Sequence, residues 1–161
     1  MNKIDDRDLR HLRRCIELAK EALSAGNQPF GSVLVSAQGE VMFEGRNEVM
    51  TTGDQTRHPE FEIARWAATY MTPEDRAKAI VYTSGEHCAM CSAAHGWVGL
   101  GRIVYVSSTE QLSSWLKEIG VAASPVKSLP INQVVPEIEV YGPVPGLAEE
   151  IRELHVRFHK S

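Results

Sequence analysis

The chain has 161 residues, 43% of them hydrophobic and 24% charged, with a formal net charge of −4. That length allows one domain with a sizeable apolar core and no disulfide staples, so residues 1–161 are expected to form a single domain. The acidic balance argues against a partner that is mainly phosphate backbone, and no window approaches a membrane span. The polar opening Met1-Asn2-Lys3-Ile4-Asp5-Asp6 has no apolar secretion core. A cytoplasmic protein with neither nucleic-acid nor membrane partners is therefore expected. In a reducing compartment its three cysteines are thiols, packing residues or metal ligands.

Leu9, Leu12, Ile16, Ala19 and Leu23 recur at three- and four-residue steps, which predicts an amphipathic helix closed by Gly26. Arg7, Arg10, Arg13 and Arg14 on it read as a solvated face balanced by Asp5, Asp6, Asp8 and Glu17, and Cys15 falls among the apolar positions. Residues 30–35 and 41–46 are β-rich runs around Gln38-Gly39-Glu40, the pattern of a hairpin. A loop rich in Thr, Gly and Asp leads to Pro59, which opens a helix through about Tyr70. Thr72 to Asp75 caps a short helical piece, and Ile80 to Thr83 has strand composition.

The pattern then alternates: a helix from about Cys88 to Val98, a strand over 102–107, a helix over 110–119 ended by Gly120, and a late strand over 138–141. Leu147, Ile151, Leu154 and Phe158 form one stripe, so a docked C-terminal helix is expected. Residues 121–161 read as a C-terminal extension whose unperiodic first part covers either the mouth of a site or an edge strand. Strands separated by helices imply crossovers and a largely parallel sheet covered on both faces, an α/β fold.

His58-Pro59-Glu60 and Cys88-Ala89-Met90-Cys91 both open predicted helices. Helix N-termini stabilise thiolates, and residues three apart share a face, so Cys88 and Cys91 can reach one ion. Together with His58 they make three ligands, one short of the four that zinc prefers. A three-ligand set leaves a position for water, which marks a catalytic site rather than a structural one. Glu60, two residues from His58, is placed to move protons. Glu62 competes for that role, although an acid in a first helical turn also serves the helix dipole.

These residues resemble the cytidine deaminase superfamily, whose zinc signature pairs His-x-Glu with Cys-x-x-Cys. Asn27 to Val35, Gly45-Arg46-Asn47 and Val81-Tyr82-Thr83-Ser84 look like that superfamily's strands, and the resemblance covers roughly residues 9 to 119. Pro29-Phe30-Gly31 and Asp54 to His58 look most like guanine deaminases and related nucleobase deaminases. The resemblance implies a three-layer α/β/α fold on a mixed sheet of about five strands, one Zn²⁺ per chain, and a homodimer or homotetramer. It also implies that Asn47 hydrogen-bonds the substrate ring while the base stacks on His58 and Phe30.

Two positions depart from the pattern. Pro59 stands where the family offers a backbone N–H to the base, and proline has none. His87 stands where proline commonly precedes the first Cys, and its imidazole can hydrogen-bond, titrate or point outward. Trp115 is a candidate pocket wall, and His95 shares the face of Cys88 and Cys91 as a substrate contact or a packing residue. Trp66 and Trp97 read as core or interface residues, and His11, His155 and His159 as surface residues.

The expected reaction is hydrolytic removal of an exocyclic amino group from a free nucleobase or nucleoside-like heterocycle, a guanine-like purine first and cytosine or an aminotriazine next. The alternatives are deamination of adenosine in transfer RNA, against which the acidic pI near 5.9 argues, and a zinc-containing binding module without turnover.

Overall fold

The computed structural model describes residues 4–160. The first helix, α1 (Asp6–Ser24), starts at a reciprocal capping box between Asp5 and Asp8. It buries Leu12, Cys15, Ile16, Ala19 and Ala22 against the sheet. Tyr82 Oη donates to Asp8 Oδ1 at 2.6 Å and pins the start of the helix to the sheet interior. Among the described residues, three of the four arginines on its outer face are paired: Arg7 with Asp5, Arg13 with Glu150 at 2.8 Å, and Arg14 with Glu44 at 2.9 Å. A face neutralised in this way offers little to a polyanion.

The strands are β1 (Gly31–Val35), β2 (Val41–Arg46), β3 (Ile80–Gly85), β4 (Ile103–Ser107) and β5 (Val140–Tyr141), in the order β2-β1-β3-β4-β5. β1 runs antiparallel to both of its neighbours, whereas β3, β4 and β5 are mutually parallel. The sheet is thus mixed and less parallel than strand and helix alternation suggests. The reason lies in β1: the crossover from β2 to β3 does join two parallel strands, but the hairpin partner lies between them.

Side-chain alternation builds the layers. Val33, Val35, Tyr82, Val104 and Val106 face α1 and the C-terminal helix α7 (Leu147–Lys160). Leu34, Val81, Ile103 and Tyr105 face the opposite way, toward α3 (Pro59–Tyr70) and α5 (Ala89–Val98). The short helices α2 (Val49–Thr52) and α4 (Pro73–Lys78), together with α6 (Thr109–Glu118), complete the connections. The three-layer α/β fold is the one expected.

Three local features differ from the sequence reading. Where a loop was expected after β2, α2 forms because Asn27 Oδ1 accepts the N–H groups of Met50 and Thr51 at 2.8 and 3.0 Å. β5 pairs over two residues only, because the Asn132 amide binds the carbonyls of Val135, Pro136 and Ile138 and gathers the preceding segment into a compact loop. His155 is buried rather than on the surface, its ring 4.9 Å from that of Phe30. His155 follows Leu154 on the buried side of α7, where Leu147, Ala148 and Ile151 are also buried.

Between 121 and 137 the chain has little regular structure beyond a turn at Ile131–Gln133, but it is anchored. Ile131 is buried beneath the sheet face that carries α5, and its N–H donates to Glu86 Oε2 at 2.8 Å. Val135 lies over Gly96 of α5.

Gly31 sets how closely α1 lies on β1. A Cβ there would stand 2.5 Å from both the Cys15 carbonyl oxygen and Leu18 Cβ. Backbone cannot swing aside as a flexible side chain can, so Gly31→Ala is expected to cost about 3 kcal/mol in urea unfolding. An unchanged midpoint would show that α1 lifts freely from the sheet.

Candidate active site

Two helix N-termini meet at one end of the sheet. His58 is the N-cap of α3, with Pro59 in the first helical position, and Cys88 is the N-cap of α5 with Cys91 three residues on. Proline opens a helix readily because its missing N–H has no intrahelical acceptor there. β3 ends at Gly85, just before the cysteine segment, so the strand end aims α5 toward α3.

His58 Nδ1 lies 3.5 Å from Cys88 Sγ and 3.6 Å from Cys91 Sγ, and the three donor atoms fall within 4.8 Å of one another. Among the described residues this is the one group of three or more His, Cys, Asp or Glu so arranged. Tetrahedral zinc, with Zn–S near 2.3 Å and Zn–N near 2.0–2.1 Å, requires an N to S separation of about 3.6 Å. The observed spacing and the borderline-soft donor set both fit that ion.

The charges are coupled. The Cys91 thiol hydrogen-bonds Cys88, and with the help of His58 it brings the Cys88 pKa down to about 4. In return Cys88 holds the Cys91 thiol well above its ordinary range and raises His58. Negative charge therefore collects on Cys88, and a divalent cation would draw it onto both sulfurs.

Glu60 is buried at 6% exposure, and burial, reinforced by the Cys88 charge, pushes its carboxyl up to about 7. A carboxyl that titrates near neutrality can both take and release a proton. Glu62 does not share this setting, since it pairs with Arg57 at 3.1 Å in a partly exposed position.

The flanking residues sort into two groups. Asn47 is buried; its N–H donates to the Phe30 carbonyl at 3.0 Å and its Oδ1 accepts the Val49 N–H, which ties it to Phe30 at adjoining strand ends. Phe30 sits between Gly85, where a Cβ would come within 3.2 Å, and the His155 ring. Pro59 lies over Gly45 of β2, where a Cβ would be 3.3 Å from the proline ring.

His87 does not point outward. It is fully buried, neither ring nitrogen has a hydrogen-bond partner among the described residues, and burial keeps it neutral. Its ring meets that of His95 edge-on at 5.3 Å, and His95 is itself a packing residue bonded through Nε2 to the Gly101 carbonyl at 2.7 Å. Trp115 does not join the site. It packs in the core beneath α1 and α7, on the sheet face opposite α3 and α5, because its stripe on α6 faces Leu147, Ala148 and Ile151.

The sequence reading passed over Ser32 and Thr83. Both are fully buried, and Ser32 Oγ lies 3.5 Å from Glu60 Oε1. The available signal was a polar residue at a position where strand alternation demands an inward side chain.

A family model for the cytidine and deoxycytidylate deaminase zinc-binding region matches residues 5–107. The probable cytosine deaminase of Schizosaccharomyces pombe is 33% identical over 118 residues, 73% of this chain and 71% of that protein. The guanine deaminase of Bacillus subtilis is 36% identical over 97 residues, 60% of this chain and 62% of the relative. A solved guanine deaminase from Nitrosomonas europaea shares the fold, with a TM-score of 0.72 at 16% identity, covering 100% of this chain and 88% of that one. The class is that of hydrolytic deaminases. Within it, the chain belongs to the cytidine and deoxycytidylate deaminase family.

Burying Glu60 has a consequence for stability. In the unfolded chain its pKa is near 4.5 and in the folded, metal-free chain about 7, so the folded state holds the proton more tightly. The stability this contributes is complete below pH 4.5 and is lost as pH rises through 7. Glu60→Gln carries no such pH dependence. In denaturant unfolding of chelated protein, its stability relative to wild type is expected to rise by about 3 kcal/mol between pH 4.5 and pH 8. A pH-independent difference would mean that the carboxyl is hydrated.

Proposed function

We propose that the protein removes an exocyclic amino group, as ammonia, from a free nucleobase or nucleoside-like heterocycle. A guanine-like aminopurine comes first, with cytosine or an aminotriazine next. The observation that carries the reading is the buried Glu60 carboxyl beside the His58, Cys88 and Cys91 donor set, with Asn47 and Phe30 at the adjoining strand ends. The similarity to guanine and cytosine deaminases supports a small ring as substrate.

His58 Nδ1, Cys88 Sγ and Cys91 Sγ would hold one zinc ion per chain. When bound, zinc supplies the Lewis acidity that makes water nucleophilic near neutral pH. Glu60 takes a proton from the attacking water and gives it to a ring nitrogen; it then takes the remaining proton of the added hydroxyl and passes it to the amine, which leaves as ammonia as the ring carbonyl forms. Phe30 offers a flat face for the ring, and Asn47 an amide for its polar edge. Pro59 donates no N–H to the base, so this pocket recognises the ring with one hydrogen bond fewer than a family member that has a donor there.

A homodimer is part of the same reading. Trp97 at the end of α5 is 89% exposed and Tyr70 at the end of α3 is 70% exposed, and both residue types are enriched at subunit interfaces.

Zinc-replete protein incubated with aminopurines, cytosine and aminotriazines is expected to release ammonia from at least one of them. Glu60→Gln should lower that rate by at least about 100-fold while zinc stays near one per chain. Cys88→Ser should lose the metal itself, as measured by elemental analysis. Release from none of these rings would sink the small-base reading, and tight, salt-sensitive binding of transfer RNA would redirect it to a polynucleotide.

A further inference from the structure

Two buried hydroxyls stand behind Glu60. Ser32 on β1 and Thr83 on β3 are direct register partners, and neither has any exposed surface. They extend the row that Leu34 and Val81 fill with apolar side chains on the sheet face toward α3. A hydroxyl buried in such a row costs roughly 1–3 kcal/mol unless it finds a partner. Here the partners form one chain: Thr83 Oγ1 donates to the Gly85 carbonyl at 2.9 Å, and Ser32 Oγ lies 2.8 Å from Thr83 Oγ1 and 3.5 Å from Glu60 Oε1.

Each hydroxyl has a single hydrogen. A carbonyl oxygen can only accept, so the Thr83 hydrogen is committed to Gly85. The Ser32 hydrogen then goes to Thr83, and Ser32 turns a lone pair toward Glu60. The lengths agree that the Ser32 hydrogen is held by Thr83, at 2.8 Å against the longer 3.5 Å contact with Glu60 Oε1. A lone pair holds a carboxyl best while that carboxyl carries a hydrogen, which is the state of Glu60 between taking a proton from water and giving it to the ring.

We propose that Ser32, locked by Thr83, is a positioning residue for Glu60, fixing the plane of its carboxyl while it carries the transferred proton. The inference rests on the role of Glu60 proposed above. Neither hydroxyl is hydrogen-bonded to any of the three metal donors.

The test uses the full zinc-loaded chain and four variants: Ser32→Ala, Thr83→Val, which keeps the shape and removes the hydroxyl, Thr83→Ser, which keeps the hydroxyl, and Glu60→Gln. With the substrate that the ammonia screen identifies, Ser32→Ala and Thr83→Val are expected to lower kcat by roughly 10- to 100-fold at unchanged KM and zinc content. Thr83→Ser should retain most of the wild-type kcat. Independently of turnover, a crystal structure of Ser32→Ala should show the Glu60 carboxyl rotated from its wild-type plane. The inference is overturned if Ser32→Ala and Thr83→Val keep full kcat, if their loss tracks loss of zinc, if Thr83→Ser falls as far as Thr83→Val, or if the carboxyl plane stays unchanged. In each of those cases an inactive Glu60→Gln leaves the role of Glu60 standing, whereas a fully active Glu60→Gln overturns both.

Discussion

Two helix N-termini converge on one point, and most of what is distinctive in this molecule depends on that meeting. α3 contributes His58 as its N-cap, and α5 contributes Cys88 as its N-cap with Cys91 in the first turn. A helix N-terminus carries partial positive charge and free N–H groups, so it tolerates a thiolate where an apolar interior would not. Two such ends side by side can hold sulfur and imidazole donors within 4.8 Å without salt bridges to support them. The same crowding governs Glu60. Shut away from water and beside the Cys88 charge, its carboxyl titrates near 7, where proton transfer in both directions is cheapest.

The sheet makes this convergence possible. β1 runs between β2 and β3 and antiparallel to both, so the C-terminal ends of β2 and β3, which lead to α3 and α5, lie at the same end of the sheet. Gly31 lets α1 approach β1 at backbone distance on one face, while Ser32, the next residue, points to the other face and reaches Glu60. Adjacent residues thus serve the packing of one layer and the chemistry of the other.

The C-terminal part closes the structure around the same end. His155 of α7 backs the Phe30 ring, and the Glu86 carboxylate binds the N–H groups of Thr109 and Ile131, joining the start of α6 and the 121–137 segment to the strand end that precedes Cys88. Phe30 and Asn47 are therefore held by parts of the chain that are distant in sequence.

Element types and the donor set were legible in the sequence because each rests on local physics. The step of apolar residues announces α1 and α7, proline at a first helical turn announces α3, and His58, Glu60, Cys88 and Cys91 are residue types whose chemistry is recognisable at their spacing. Only tertiary structure decided the rest. Whether Trp115 faces a pocket or the core, whether His155 is solvated, and whether His87 turns outward depend on which layer covers each side chain, a long-range property with no local signature. Strand direction in the sheet and the alignment of Ser32 with Thr83 behind Glu60 are of the same kind. Register between strands is set by packing of the whole sheet, and a shift of β1 by one residue would have turned Ser32 to the other face, away from Thr83 and the carboxyl.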